Sequence, residues 1–176
     1  AFESINIPPA AYVRGGEVIQ VIKDLPPRRN EGDFSAKPRF DERVALVKFH
    51  PAFDPSLIGY LVDRGVRGLI LEGTGLGHIG ESCYGVIKDA IRRGVLVCMT
   101  SQCIWGRVRM TVYETGRDLL AIGVLPLGDI LPETALVKAM WVLANTSSLD
   151  EAKDLMLTNL VGEYADRQPL ERRPRG

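Results

Sequence analysis

Apolar and polar positions follow no steady period up to residue 42 and then fall into a repeating order. Val44-Ala-Leu-Val-Lys-Phe49 is a short apolar run of the kind buried in a parallel sheet. Asp54 before Pro55 supplies an N-cap and a first-turn proline, which predicts a helix to Arg64 with Gly65 as its stop. Arg67-Gly-Leu-Ile-Leu-Glu72 reads as the next strand, 81–93 as the next helix with Gly94 ending it, and 95–99 as a third strand. Strands alternating with helices predict right-handed βαβ units and a parallel sheet. Beyond them the pattern predicts a helix over 115–121, a connector over 123–128, and a helix from Pro132 through Leu143. Leu136, Met140 and Leu143 fall on one face of that helix. Ser148-x-x-Glu151 is a capping box for a last helix, to about Leu160.

Ahead of this region, Gly15-Gly16 lies between Tyr12-Val13 and the run over 17–22, which predicts a β-hairpin. Pro26-Pro27 opens a charged loop to Asp33. The expected fold class is α/β: a Rossmann-like three-layer domain with a short parallel sheet over 43–162. A linker and hairpin over 1–42 precede it, and a tail over 163–176 follows. We find no internal repeat and no low-complexity segment.

Composition narrows the function classes. The chain has 176 residues, enough for one domain, and 45% of them are hydrophobic. Lys+Arg and Asp+Glu both number 22, so the balance makes no broad electrostatic case for nucleic acid or a membrane. The end, Glu171-Arg-Arg-Pro-Arg-Gly176, is basic and reads as a frayed tail. The three cysteines, Cys83, Cys98 and Cys103, have no C-x-x-C spacing, which suits neither a disulfide framework nor zinc. They point to a reducing, cytoplasmic compartment. No signal peptide or membrane-length apolar run is present, so no membrane is expected as a partner. The chain does not begin with Met, and its first six residues read like mid-protein sequence, so part of a longer protein is expected.

The chemistry is expected after the second strand of this order. Gly73-Thr-Gly-Leu-Gly-His-Ile-Gly80 puts four glycines into eight residues at the carboxyl end of a strand, where open α/β sheets bind ligands. Gly75-Leu-Gly77-His-Ile-Gly80 also matches G-x-G-x-x-G. A dinucleotide site needs an acidic residue roughly 20 positions on, at the end of the next strand. That strand ends in Thr100-Ser101-Gln102, and Glu81 at the following helix start would repel a pyrophosphate. No cofactor and no metal are therefore expected. A tight loop made only for close helix–sheet packing is the bland alternative. Glu72 reads first as an acceptor for loop N–H groups and second as a ligand for a substrate amine. Glu114 and Arg117 read as an exposed ion pair, and Trp105 and Trp141 as core or interface anchors.

Three segments in order carry a resemblance: Leu69-Ile-Leu-Glu-Gly-Thr-Gly-Leu-Gly77, Thr100-Ser-Gln-Cys-Ile-Trp-Gly106 and Tyr113-Glu-Thr-Gly-Arg-Asp-Leu-Leu-Ala-Ile-Gly-Val124. They resemble the C-terminal domain of the L-asparaginase family, which uses a threonine nucleophile. Asp129-x-x-Pro-Glu-Thr-Ala-Leu-Val-Lys138 and Asn159-Leu-Val-Gly-Glu163 also fit, and residues 1–6 look like the crossing between the family's two domains. Within the family, Leu71-Glu-Gly-Thr-Gly-Leu-Gly-His78, Gln102-Cys103 and Leu131-Pro-Glu-Thr-Ala135 look most like the archaeal glutamyl-tRNA(Gln) amidotransferase D subunits; a free-standing asparaginase is the runner-up. A non-catalytic Rossmann-like module for ligand binding or oligomerisation is a third possibility.

The resemblance implies a glutaminase that hands ammonia to the amidotransferase E subunit, which amidates misacylated Glu-tRNA(Gln). It implies a homodimer, an N-terminal asparaginase domain, and glutamine or asparagine as substrate. It also implies that nucleophile, Thr-Asp pair and lysine lie in that other domain, whose T-G-G-T and H-G-T-D motifs are absent here. No catalytic residue is expected within this chain. Thr74, Gly75, Leu76, Gly77 and His78 are the candidate substrate-binding loop, reaching a neighbouring protomer's active site. Gln102 and Cys103 are candidate effector or interface residues. Where the family often has an asparagine in the loop, this chain has Leu76 and His78. A bulky change at Gly77 is expected to cost turnover more than folding.

Overall fold

The computed structural model describes residues 4–20 and 35–165. Strands β1 (Ala11–Arg14) and β2 (Glu17–Gln20) form an antiparallel hairpin around Gly15-Gly16, both at positive φ. Tyr12, Val13, Val18 and Ile19 are all exposed on it. The expected extension of the second strand to 22, and the loop over 26–33, lie outside the described residues.

The main sheet is parallel, in the order β3 (Val44–Lys48), β4 (Gly68–Gly73), β5 (Leu96–Ser101), β6 (Leu125–Pro126). Its helices are α1 (Ser56–Asp63), α2 (Tyr84–Arg92), α3 (Glu114–Ile122), α4 (Pro132–Asn145) and α5 (Leu149–Leu157), with a single 3-10 turn at Glu81–Cys83. Alternation along the strands makes the three layers. Leu69 and Leu71 of β4 and Val97 and Met99 of β5 face Ile58, Ile87 and Leu119 of α1, α2 and α3. Ile70, Leu96 and Cys98 face Ala135, Ala139 and Val142 of α4 and Ala152 and Met156 of α5. The three-layer expectation holds, and β6 is added to it. The connector hid a strand because β6 is only two residues long and one is Pro126.

Local signals act as expected at two helix starts. Asp54 Oδ1 accepts the Ser56 N–H at 2.9 Å, and Ser148 Oγ accepts the Glu151 N–H at 3.1 Å. The buried stripe of α4 includes Lys138, whose Nζ donates to Thr158 O and to Glu163 Oε1, both at 2.6 Å. Burial raises the Glu163 pKa, but Lys138 and backbone N–H groups more than offset this and hold it at about 2. Burial pushes the Cys98 thiol up to about 12, so it is an inert core residue. Residues 163–165 are bonded into the domain, because Ala165 N–H also donates to Asp129 Oδ1 at 3.0 Å.

Candidate functional site

The carboxyl edge of the sheet is built from the loops that leave β4, β5 and β6. After β4 the chain turns back through a tight hairpin in which Thr74 N–H donates to His78 O at 2.9 Å. Thr74 O accepts from both Gly77 N–H and His78 N–H at 3.0 Å. Gly75 and Gly77 have φ of 52° and 99°, which is what the glycines supply. Leu76 O accepts the Arg109 N–H at 2.9 Å, and Gly75 O accepts the Ser101 hydroxyl at 2.5 Å. Thr74 and Gly75 are exposed, Leu76 and His78 half-buried, and Gly77 buried.

That burial reverses one expectation. A Cβ at Gly77 would lie 2.9 Å from both Met99 Cγ and Val108 Cγ1, at a φ that side chains disfavour. A valine there strikes the core under the loop, so folding is the first thing it costs.

His78 turns inward. Its Nδ1 lies 3.0 Å from Thr115 Oγ1 at the start of α3, and Tyr113 meets its ring edge-on at 5.3 Å between centroids. Nε2 is buried with no hydrogen-bond partner. A hydroxyl beside an imidazole is the arrangement that activates a nucleophile, but no carboxylate holds the far nitrogen. The pair therefore reads as a clamp between the hairpin and α3.

Gln102 and Cys103 separate. Gln102 Nε2 donates to Phe49 O at 2.5 Å and to Glu72 O at 3.1 Å, and its own N–H donates to Gly73 O at 2.8 Å. Its amide is spent tying β3 to β4. Cys103 is exposed, with its N–H on Ser101 Oγ at 3.0 Å. Glu72 follows neither expected reading: it pairs with Lys48, its register partner on β3, at 2.7 Å. Arg117 donates to Thr111 O and Val112 O at 3.3 Å, so its expected pairing with Glu114 gives way to capping of the loop before α3. Ile104, Trp105, Val112 and Tyr113, on the chain between β5 and α3, are exposed.

Three further polar residues join the sequence candidates. Asn6, at a φ of 61°, donates to Gly106 O and Asp129 O at 3.2 Å and so pins the first described segment to this edge. Asp129 is 6% exposed, and its Oδ2 has no partner. Lys138 could have been found from sequence as a charge inside the apolar stripe of α4. Among the described residues no group of three or more His, Cys, Asp or Glu could hold a metal, and no helix is long and apolar enough to cross a membrane.

Comparison with known proteins identifies relatives. The chain is 49% identical over 176 residues to the glutamyl-tRNA(Gln) amidotransferase D subunit of Metallosphaera sedula, covering 99% of this chain and 40% of that protein. It is 50% identical over 163 residues to the D subunit of Pyrococcus furiosus, covering 93% and 37%. It thus spans about 40% of the length of these curated relatives. The structure superposes on the thermostable L-asparaginase from Thermococcus kodakarensis with a TM-score of 0.82 and 36% identity, over 95% of this chain and 50% of that one. L-asparaginase I from Vibrio cholerae gives a TM-score of 0.83 and 29% identity, over 94% and 50%. Residues 43–156 match the model of the glutaminase/asparaginase C-terminal domain. That match takes in β3 through α5, the whole layered core, and the chain belongs to the glutaminase/asparaginase C-terminal domain family.

Proposed function

We propose that the chain is the carboxyl-terminal portion of a glutaminase that supplies ammonia for converting Glu-tRNA(Gln) to Gln-tRNA(Gln). The observation that carries this reading is the 49% identity to an amidotransferase D subunit over 99% of the chain. In this reading the nucleophile comes from the portion that the relatives have and this chain does not span. The hairpin over 74–78 is presented to the active site of a neighbouring protomer in a homodimer, with Thr74 and Gly75 outermost. Gln102 and Cys103 lie at an effector site or interface, the amidotransferase E subunit receives the ammonia, and the assembly works in the cytoplasm.

The test measures ammonia release from glutamine and from asparagine, for the 176-residue chain and for the longer protein that carries it. The expected result is glutamine hydrolysis by the longer protein alone, and amidation of Glu-tRNA(Gln) when the E subunit is added. Steady ammonia release by the 176-residue chain, lost on Thr115→Val, would overturn the reading and make the Thr115–His78 pair a working dyad. The likeness to the Thermococcus kodakarensis L-asparaginase supports a second reading, an asparaginase. Preference for asparagine with no tRNA-linked amidation would establish that one.

A further inference from the structure

The last residue of β5 is Ser101, whose register partner on β4 is Gly73. Gly73 has no side chain, and a Cβ there would come within 2.8 Å of Met99 Sδ and 2.9 Å of His78 O. The hairpin can therefore fold back closely over the strand ends. Ser101 is buried. Its hydroxyl has one proton, which goes to Gly75 O at 2.5 Å, two residues past the register partner. The same oxygen accepts the Cys103 N–H at 3.0 Å, so the hydroxyl is engaged as donor and as acceptor. Gly75 is exposed, at a φ of 52°, and a Cβ on it would meet nothing within 4 Å. Thr74 O gathers the N–H groups of Gly77 and His78, which closes the turn but does not fix its tilt over the sheet. Two bonds from outside the hairpin reach its tip. Arg109 N–H holds Leu76 O at 2.9 Å, and Ser101 holds Gly75 O. The first comes from the main chain and the second from a side chain.

We propose that Ser101 is a positioning residue for amide hydrolysis: its hydroxyl holds the Gly75 peptide in the orientation in which the tip meets the substrate of a neighbouring protomer. This rests on the reading that the hairpin over 74–78 faces that protomer's active site. Ser101 acts through Gly75 and not on the substrate. Thr100 supplies the contrast. Its hydroxyl is also buried and donates to Leu71 O at 3.1 Å, inside the sheet. One hydroxyl serves the strands and the next serves the loop. Without the Ser101 bond the tip samples other tilts. Apparent affinity then falls with the fraction of molecules whose tip is correctly set, while a bound substrate reacts as before.

The test measures kcat, KM and Tm for the longer protein that carries this chain, with whichever of glutamine and asparagine it hydrolyses. Ser101→Ala should raise KM about fivefold, the value of one neutral hydrogen bond, and leave kcat within about twofold. Thr100→Val removes the neighbouring bond and should lower Tm at least as much without moving KM. Thr74→Arg puts a bulky cation on the exposed tip with Ser101 intact, and should lower kcat/KM about tenfold or more. An unchanged kcat/KM in Thr74→Arg would place the hairpin away from the active site, removing both the reading and the proposal. A large effect of Thr74→Arg with an unchanged KM in Ser101→Ala would overturn the proposal and leave the reading standing. Equal rises of KM in Ser101→Ala and Thr100→Val would do the same, because loss of stability would then explain both.

Discussion

At the amino edge of the sheet, Asp41 sits between two arginines. Its carboxylate takes Arg43 Nε and Nη2 at 2.9 Å and Arg67 Nη1 at 2.8 Å, and Arg67 reaches on to Leu143 O. At the carboxyl edge, His78 Nε2 and Asp129 Oδ2 are the buried side-chain atoms left without a partner among the described residues. Ile104, Trp105, Val112 and Tyr113, between β5 and α3, are exposed. One edge closes its polar groups on each other, and the other holds some open. Open α/β sheets bind ligands at their carboxyl edge, and the two unmet atoms of this one lie there.

The strongest way to break this contrast is to ask whether the open edge is also a soft one. Gly77→Val should destabilise the chain by about 3 kcal/mol or more, through strain at a positive φ together with overpacking against Met99 and Val108. Urea unfolding measures it. A loss below about 1 kcal/mol would show that the hairpin yields, and the edge would be pliable as well as open.

The amino edge should respond more moderately. Asp41→Ala is expected to cost about 2 kcal/mol at neutral pH, as Arg43 and Arg67 lose their shared acceptor. The hydrogen bond from Arg43 leads the effects that hold the Asp41 pKa far below the usual carboxylate range, with Arg67 adding to it. A carboxyl lowered on folding stabilises the fold above its unfolded pKa, about 3.9, and loses that contribution as pH falls towards its folded value. The gap between parent and variant should therefore stay constant above about pH 5 and narrow below about pH 4. A gap that does not narrow in acid would mean the arginines act by packing alone.

The smallest effect is expected at the open edge itself. His78→Phe loses the bond to Thr115, removes the unpartnered Nε2 and keeps a ring against Tyr113. The net change should stay within about 1 kcal/mol by chemical denaturation. A cost above about 2 kcal/mol would place His78 with Asp41 among the groups that hold the fold.

The layers were legible because they rest on local signals. The strand runs at 44–49 and 67–72, the Asp54 cap and the Ser148 box each act within a few residues of themselves. What escaped joins positions far apart in sequence. Lys48 meets Glu72, Lys138 meets Glu163, His78 meets Thr115 and Gln102 meets Phe49. No spacing rule links such positions, because the sheet register and the loop path decide who faces whom. The glycine loop was found, since glycines at a strand end are themselves a signal. The inward turn of His78 and the unmet oxygen of Asp129 became visible only once the loops were folded over one another.

The Gln102 bridge makes one side chain after β5 the fastener of two other chain ends. Its amide nitrogen is the proton source shared by Phe49 O and Glu72 O, and its main-chain N–H donates to Gly73 O. Phe49 N–H and Glu72 O meet directly as well, at 3.0 Å, so the seam between β3 and β4 is stitched once by backbone and once by the amide. A carboxylate at this position would keep the first stitch and set oxygen against oxygen at the second. The guanidinium groups around Asp41 hold the opposite edge by charge, whereas this one is held by the two protons of a neutral amide.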